Sequence, residues 1–137
     1  MSWANDWRFF MVLSVFFWGL WGFISKIAVS RLEWGAVFIL CGLCIVIVGL
    51  IAVPQSYAAI SSRYIWLGIL AGITEALGFL FFYRALQRGP ATIVVPFTAL
   101  YIVITVVLAA VFLEEPLTVK KVLGIISGVA AIVLLSQ

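Results

Sequence analysis

The sequence predicts an all-α membrane protein, a bundle of five transmembrane helices. Three observations lead there. Hydrophobic residues make up 66% of the 137-residue chain and charged residues 9%, whereas a soluble domain carries roughly 25% charged residues. Mean hydropathy is +1.32, so little of the chain is suited to water. The apolar residues also fall into five runs of about 20 residues. At roughly 1.5 Å rise per residue, each is long enough to cross a hydrocarbon core of about 30 Å.

The first run, Trp7 to Val29, is too long for a signal-peptide core and lacks a small-residue cleavage pattern, so it is expected to stay as a spanning helix. Trp3 and Trp7 suit an interfacial aromatic belt. Trp18 and Trp21 fall near mid-depth, where an indole either packs between helices or lines a substrate cavity. Lys26 is expected to snorkel outwards. A short connector, Ser30 to Glu33, makes the first two spans antiparallel neighbours. The second runs from Trp34 to Val53, with Gly35, Gly42 and Gly49 at seven-residue spacing on one face, where another backbone can approach. Pro54 ends it.

Cys41 and Cys44 within this span spell C-x-x-C. Neither the strand–helix context of a redox motif nor further zinc ligands accompany them, so they are expected to act as small apolar fillers. The chain has no histidine, which removes imidazole triads and most imidazole metal sites. No enzyme activity, cofactor or metal is expected. The net charge of +3 comes from basic residues scattered near helix ends. They look like topology anchors, not a phosphate-binding patch, and no nucleic-acid partner is expected.

The third span, Tyr64 to Leu86, holds Glu75 at its centre. A carboxylate there costs roughly 2.5–3.5 kcal/mol on insertion scales, and such a residue is a functional-site candidate by default. Gly68, Gly72 and Ala76 form a small-xxx-small series. Gly68, Ala71, Gly72, Glu75, Gly78 and Phe79 share one broad face at helical periodicity, so Glu75 should face protein or a cavity instead of lipid. The fourth span, Thr92 to Leu113, contains Pro96, which predicts a kink. Thr98, Tyr101 and Thr105 line one face beyond it. Kinked or broken helices often border transport sites, although a purely structural kink explains the proline equally well. Glu114 and Glu115 sit at a helix end beside water and read as a solvated cluster. The fifth span, Leu117 to Leu135, has Thr118 as a candidate cap and a Gly124–Gly128 GxxxG face that suits helix packing or dimerisation.

Five crossings put Arg8, Arg63, Lys120 and Lys121 on one side and Lys26, Arg31, Arg84 and Arg88 on the other. The positive-inside rule therefore has no excess to act on. A chain inserted both ways up, paired as an antiparallel homodimer, would supply the inverted symmetry that many carriers use around a midplane site.

Trp18-Gly19-x-Trp21-Gly22-Phe23-x-Ser25-Lys26, Tyr83-Arg84-Ala85-Leu86, Pro96, and Glu115-Pro116-Leu117-Thr118 followed by Gly124 and Gly128 occur in order along nearly the whole chain. Together they resemble an EamA-like domain of the drug/metabolite transporter superfamily. Typical members carry two such domains as inverted halves of a ten-helix transporter. The resemblance implies that this single copy is half of such a unit, in the manner of short single-domain members and, in logic, of the four-helix small multidrug exporters. It implies alternating-access transport of a small metabolite or drug-like molecule, but not the substrate. The small exporters carry their essential glutamate in the first helix, so a coupling role for Glu75 rests on its depth alone.

The expected function is thus proton-coupled secondary transport by a multi-pass protein of a bacterial cytoplasmic membrane. Its partners would be a small-molecule substrate, protons, membrane lipid and a second copy of the chain. Desolvation favours the neutral form of Glu75, and deprotonation would leave a carboxylate for a cationic or hydrogen-bonding substrate. Trp18, Trp21, Phe79 and Tyr101 are the expected aromatic wall, with Thr98 beside them. In the competing structural reading Glu75 is a neutral acid hydrogen-bonded to Thr74 or Ser14. Two alternatives for the whole protein are a lipid-linked carrier flippase or its accessory subunit, and a non-transporting membrane assembly protein.

Overall fold

The computed structural model describes residues 7–54, 56, 60 and 63–135, all helix, turn or connector with no strand. The chain divides into two units, one ending at Arg88 and the other beginning at Gly89.

The first unit holds α1 (Trp7–Arg31), α2 (Trp34–Ala52) and α3 (Ile65–Arg88). The corner between α1 and α2 is only two residues. Leu32 N–H still donates to Ala28 O at 2.8 Å, and Glu33 then turns extended (φ −64°, ψ 138°) as the N-cap of α2. Its Oε2 accepts from Gly35 N–H at 2.9 Å, satisfying one of the donors that a helix start leaves unpaired. A Cβ on Gly35 would lie 2.8 Å from that oxygen, so this glycine suits the cap. The α2 helix ends where Val53 N–H donates to Gly49 O at 3.2 Å, just before Pro54.

All three helices pack on one another, but their buried residues cluster at one end. Ser25 and Val29 of α1, Val37 of α2, and Phe82, Tyr83 and Leu86 of α3 form this core. It joins the end of α1, the start of α2 and the end of α3. Lys26 contributes to the same end. Its Nζ donates to Leu86 O at 2.8 Å, one of the last carbonyls of α3, which its own helix leaves unbonded. Lys26, expected to snorkel outwards, is instead half-buried with its ammonium on a carbonyl of the neighbouring helix.

The second unit holds α4 (Ala91–Thr98), α5 (Tyr101–Phe112) and α6 (Val119–Leu135), with α6 packed on α4. Together α4 and α5 occupy the single apolar run predicted from Thr92 to Leu113, but the helix is interrupted instead of simply bent. Pro96 has no N–H to return to Thr92 O. The chain past it tightens into i→i−3 bonds: Ala99 N–H to Pro96 O at 3.1 Å, Leu100 N–H to Phe97 O at 3.1 Å, and Val103 N–H to Leu100 O at 3.0 Å. Glu114 takes a left-handed φ of 54° after α5, an uncommon conformation for a residue with a Cβ. Thr118 Oγ1 accepts from Lys121 N–H at 3.3 Å, capping α6 as a threonine N-cap does.

Among the described residues, four stretches are long and apolar enough to cross a membrane: α1, α2, α3 and the run Ala91–Phe112. At 17 residues, α6 is shorter, about 25 Å. The helices expose apolar side chains along their length, the pattern of a bundle solvated by lipid. The fold is an all-α membrane bundle. Within it the small-residue faces are not points of close helix contact. A Cβ built on Gly42, Gly49, Gly68, Gly72, Gly124 or Gly128 meets nothing within 4 Å.

Candidate functional site

The face of α3 that runs i, i+4, i+8 from Glu75 through Phe79 to Tyr83 lines a cleft of about 200 Å³. Opposite it stand Phe38, Cys41, Gly42 and Ile45 of α2, with Trp21 of α1 beside them. Glu75 lies near the midpoint of α3, so the acid and the cleft share mid-depth. No other acidic residue lines it.

The inner end of the cleft is a hydrogen-bonded aromatic cluster. Trp21 Nε1–H donates to the Tyr83 hydroxyl at 3.0 Å, and that hydroxyl donates to Cys41 Sγ at 3.0 Å. One chain of bonds thereby links three helices. The Trp21 ring stacks on Phe82 (5.0 Å, 27°) and meets Phe79 edge-on (5.5 Å, 70°). Phe79 in turn stacks on Tyr83 at 6.2 Å, and Phe38 meets Tyr83 edge-on at 6.4 Å. Each such ring pair adds about 0.5–1.5 kcal/mol beyond burial, so the rings are held in place before any ligand arrives.

Glu75 itself has no hydrogen-bond or ion-pair partner among the described residues. The two hydroxyls expected to satisfy it are engaged on their own helices. Thr74 Oγ1 donates to Leu70 O and Ala71 O, and Ser14 Oγ donates to Phe10 O.

Of the residues proposed for the site, Glu75, Trp21 and Phe79 come together. Trp18 does not line the cleft, and its indole is 64% exposed. Thr98 and Tyr101 belong to the second unit, where the Thr98 hydroxyl donates to Val95 O and Tyr101 O accepts from Thr105. Gly72 lines the cleft, whereas Gly68 does not. Gly124 and Gly128 line a separate apolar groove of about 370 Å³ between α5 and α6.

Tyr83, Cys41 and Phe38 were missed as site residues. For Tyr83 the signal was present in the sequence, since it continues the Glu75–Phe79 face by one more turn. Cys41 and Phe38 sit in an all-apolar span whose pattern marks no inward face.

The profile of the EamA-like transporter family matches residues 6–137. The chain belongs to the EamA-like transporter family. This EamA-like protein is 30% identical over 129 residues to an uncharacterized protein of Methanocaldococcus jannaschii, covering 91% of this chain and 92% of that one. It is also 29% identical over 143 residues to an "uncharacterized transporter in cobO 3'region" of Sinorhizobium sp, covering 97% and 98%. Both relatives are therefore close to this chain in length. No solved structure is significantly similar to it. Family and fold together make it a multi-pass membrane transporter of the drug/metabolite type.

Proposed function

We propose that this EamA-like protein is a proton-coupled secondary transporter of a small metabolite or drug-like molecule in a bacterial cytoplasmic membrane. Glu75 binds a proton and the substrate in alternation. The observation that carries this is the placement of one carboxylate, without a protein partner among the described residues, on a mid-depth cleft walled by aromatic rings. A proton and a ligand are alternative partners for that one carboxylate. Competition between the two is what couples their movements.

The working unit is an antiparallel homodimer. The cleft of about 200 Å³ falls below the range of roughly 300–1,000 Å³ that encloses a drug-sized ligand, so a second wall is needed. The even division of Lys and Arg between the two sides favours insertion in both orientations. Relatives of matching length are compatible with one gene supplying both halves.

Proteoliposomes carrying an imposed pH gradient test the coupling. They are given labelled amino acids, sugars, nucleosides and organic amines, with the native protein and Glu75→Gln compared. Gradient-driven accumulation of at least one compound by the native protein, lost in Glu75→Gln, is expected. Equal accumulation by the two proteins removes Glu75 from the mechanism. Reporter tags at both termini test the pairing, since signals confined to one side of the membrane rule out dual insertion.

A further inference from the structure

In the second unit α6 packs on α4, and past the break at Ala99 and Leu100 the α5 helix leaves a groove beside it. Its volume is about 370 Å³, and every residue lining it is apolar except Lys121. Along α6 it reaches from Lys121 to Ile132, about 16 Å of helix. That volume over that length makes it roughly 5 Å wide, half of the roughly 10–12 Å that a helix occupies with its side chains. Gly124 and Gly128 keep it open, since a Cβ on either meets nothing within 4 Å.

Lys121 stands at the connector end of the groove. Its Nζ donates to Pro116 O at 2.9 Å, which holds the ammonium at the groove mouth and leaves it two further N–H donors. Glu114 and Glu115 precede it in the chain, yet neither forms an ion pair with it among the described residues. Lysines in a first turn oppose the helix dipole, and no acidic residue in that turn of α6 offsets Lys120 and Lys121. The helix itself therefore gains nothing from this charge.

We propose that the groove is a phospholipid site, with one acyl chain along Gly124 and Gly128 and the phosphodiester on Lys121. The width admits a single extended chain and refuses a whole helix. An ammonium at the mouth of an otherwise apolar channel complements an anionic group joined to a hydrocarbon tail, the arrangement by which basic positions between membrane helices take lipid headgroups. The group recognised is the phosphodiester that all phospholipids share. A chain seated there also gives α5 and α6 the apolar contact that the break after Pro96 denies them. The site involves neither Glu75 nor the transport cycle.

Native mass spectrometry of the full chain, purified and delipidated in detergent, tests this by titration with four probes. Dipalmitoyl phosphatidylglycerol and its one-chain lyso form are both expected to be retained, because one chain fills the groove. Monopalmitoylglycerol, which lacks the phosphate, should bind about fivefold more weakly, and glycerol phosphate, which lacks the chain, should not be retained. Lys121→Gln should weaken the lyso lipid about fivefold and leave monopalmitoylglycerol unchanged. Gly128→Leu places a side chain in the channel and should weaken both by at least about tenfold. Monopalmitoylglycerol held as tightly as the lyso lipid by the native protein overturns the phosphate contact, with no variant involved. Equal losses in Lys120→Gln and Lys121→Gln would reduce the effect to general surface charge and overturn the place given to Lys121. Lipid retention unchanged in Gly128→Leu overturns the site, and a dimer that becomes a monomer in the same variant gives the groove to a second copy instead.

Discussion

The Tyr83 hydroxyl sits between two partners, accepting from Trp21 Nε1–H and donating to Cys41 Sγ, each at 3.0 Å. It hydrogen-bonds through side chains to both α1 and α2 at once. Tyr83 is 1% exposed, so neither bond is exchanged for water.

Tyr83→Phe removes both bonds and leaves the Trp21 indole N–H without its acceptor. In membrane interiors a side-chain hydrogen bond contributes about 0.6 kcal/mol on average and up to about 1.7. A loss of roughly 1–2 kcal/mol is therefore expected for the pair, read as a lower denaturation midpoint in mild detergent. Cys41→Ala removes only the outer bond and should lose less. Equal losses in the two variants would mean that the Trp21–Tyr83 bond contributes nothing.

About one turn further along α3 in the same core, Lys26 donates to Leu86 O, and Leu86 is 0% exposed. Replacing Lys26 by Met keeps the aliphatic stem but strands a buried carbonyl, a loss of about 1–3 kcal/mol. Lys26→Gln retains a donor and should recover part of it. Hydrogen exchange at the last turn of α3 provides a local measurement. Unchanged protection there in Lys26→Met would show that the carbonyl finds another donor.

How far the sequence alone reached depends on what each residue's pattern could encode. The membrane class was legible because bilayer thickness sets an element length that composition reveals directly; of the five spans expected, four are long and apolar enough among the described residues, and α6, at 17 residues, falls short. Glu75 was legible because one ionisable residue at mid-depth contrasts with everything around it. The facing wall was not. In α2 nearly every residue is apolar, so no periodicity distinguishes Phe38 and Cys41 from the side chains that meet lipid. The glycines misdirected the packing argument for a related reason. Spacing shows where a backbone can approach, but within this chain the helices instead meet at Tyr83, Phe82 and Leu86, leaving Gly42, Gly72 and Gly124 open. Trp18 and Trp21 have the same depth and chemistry, and only the relative rotation of α1 and α3 separates the cleft-lining indole from the exposed one.

The open glycines make a prediction of their own. Nothing lies within 4 Å of a Cβ added at Gly124 or Gly128, so Gly128→Leu should leave the folded chain within about 0.5 kcal/mol of its original stability. If a second copy packs its backbone along this face, the same substitution should abolish the dimer band on cross-linking in lipid. A dimer that survives Gly124→Leu and Gly128→Leu alike would exclude this face as the contact.

The interruption between α4 and α5 separates a structural proline from a working one. Pro96→Ala restores an N–H that can return to Thr92 O and removes the ring's clash with that carbonyl, which together cost a helix interior about 3 kcal/mol. The i→i−3 bonds at Ala99, Leu100 and Val103 should then relax to i→i−4, joining Ala91–Phe112 into one straight helix and raising the denaturation midpoint. If the break serves alternating access, the more stable variant should transport more slowly, because residues that absorb backbone rotation during the cycle have been fixed in one conformation. Pulsed spin–spin distances between labels at Ile93 and Leu108 would report the straightening independently of transport. A straightened helix with undiminished pH-driven uptake would mean that Pro96 shapes the resting fold alone.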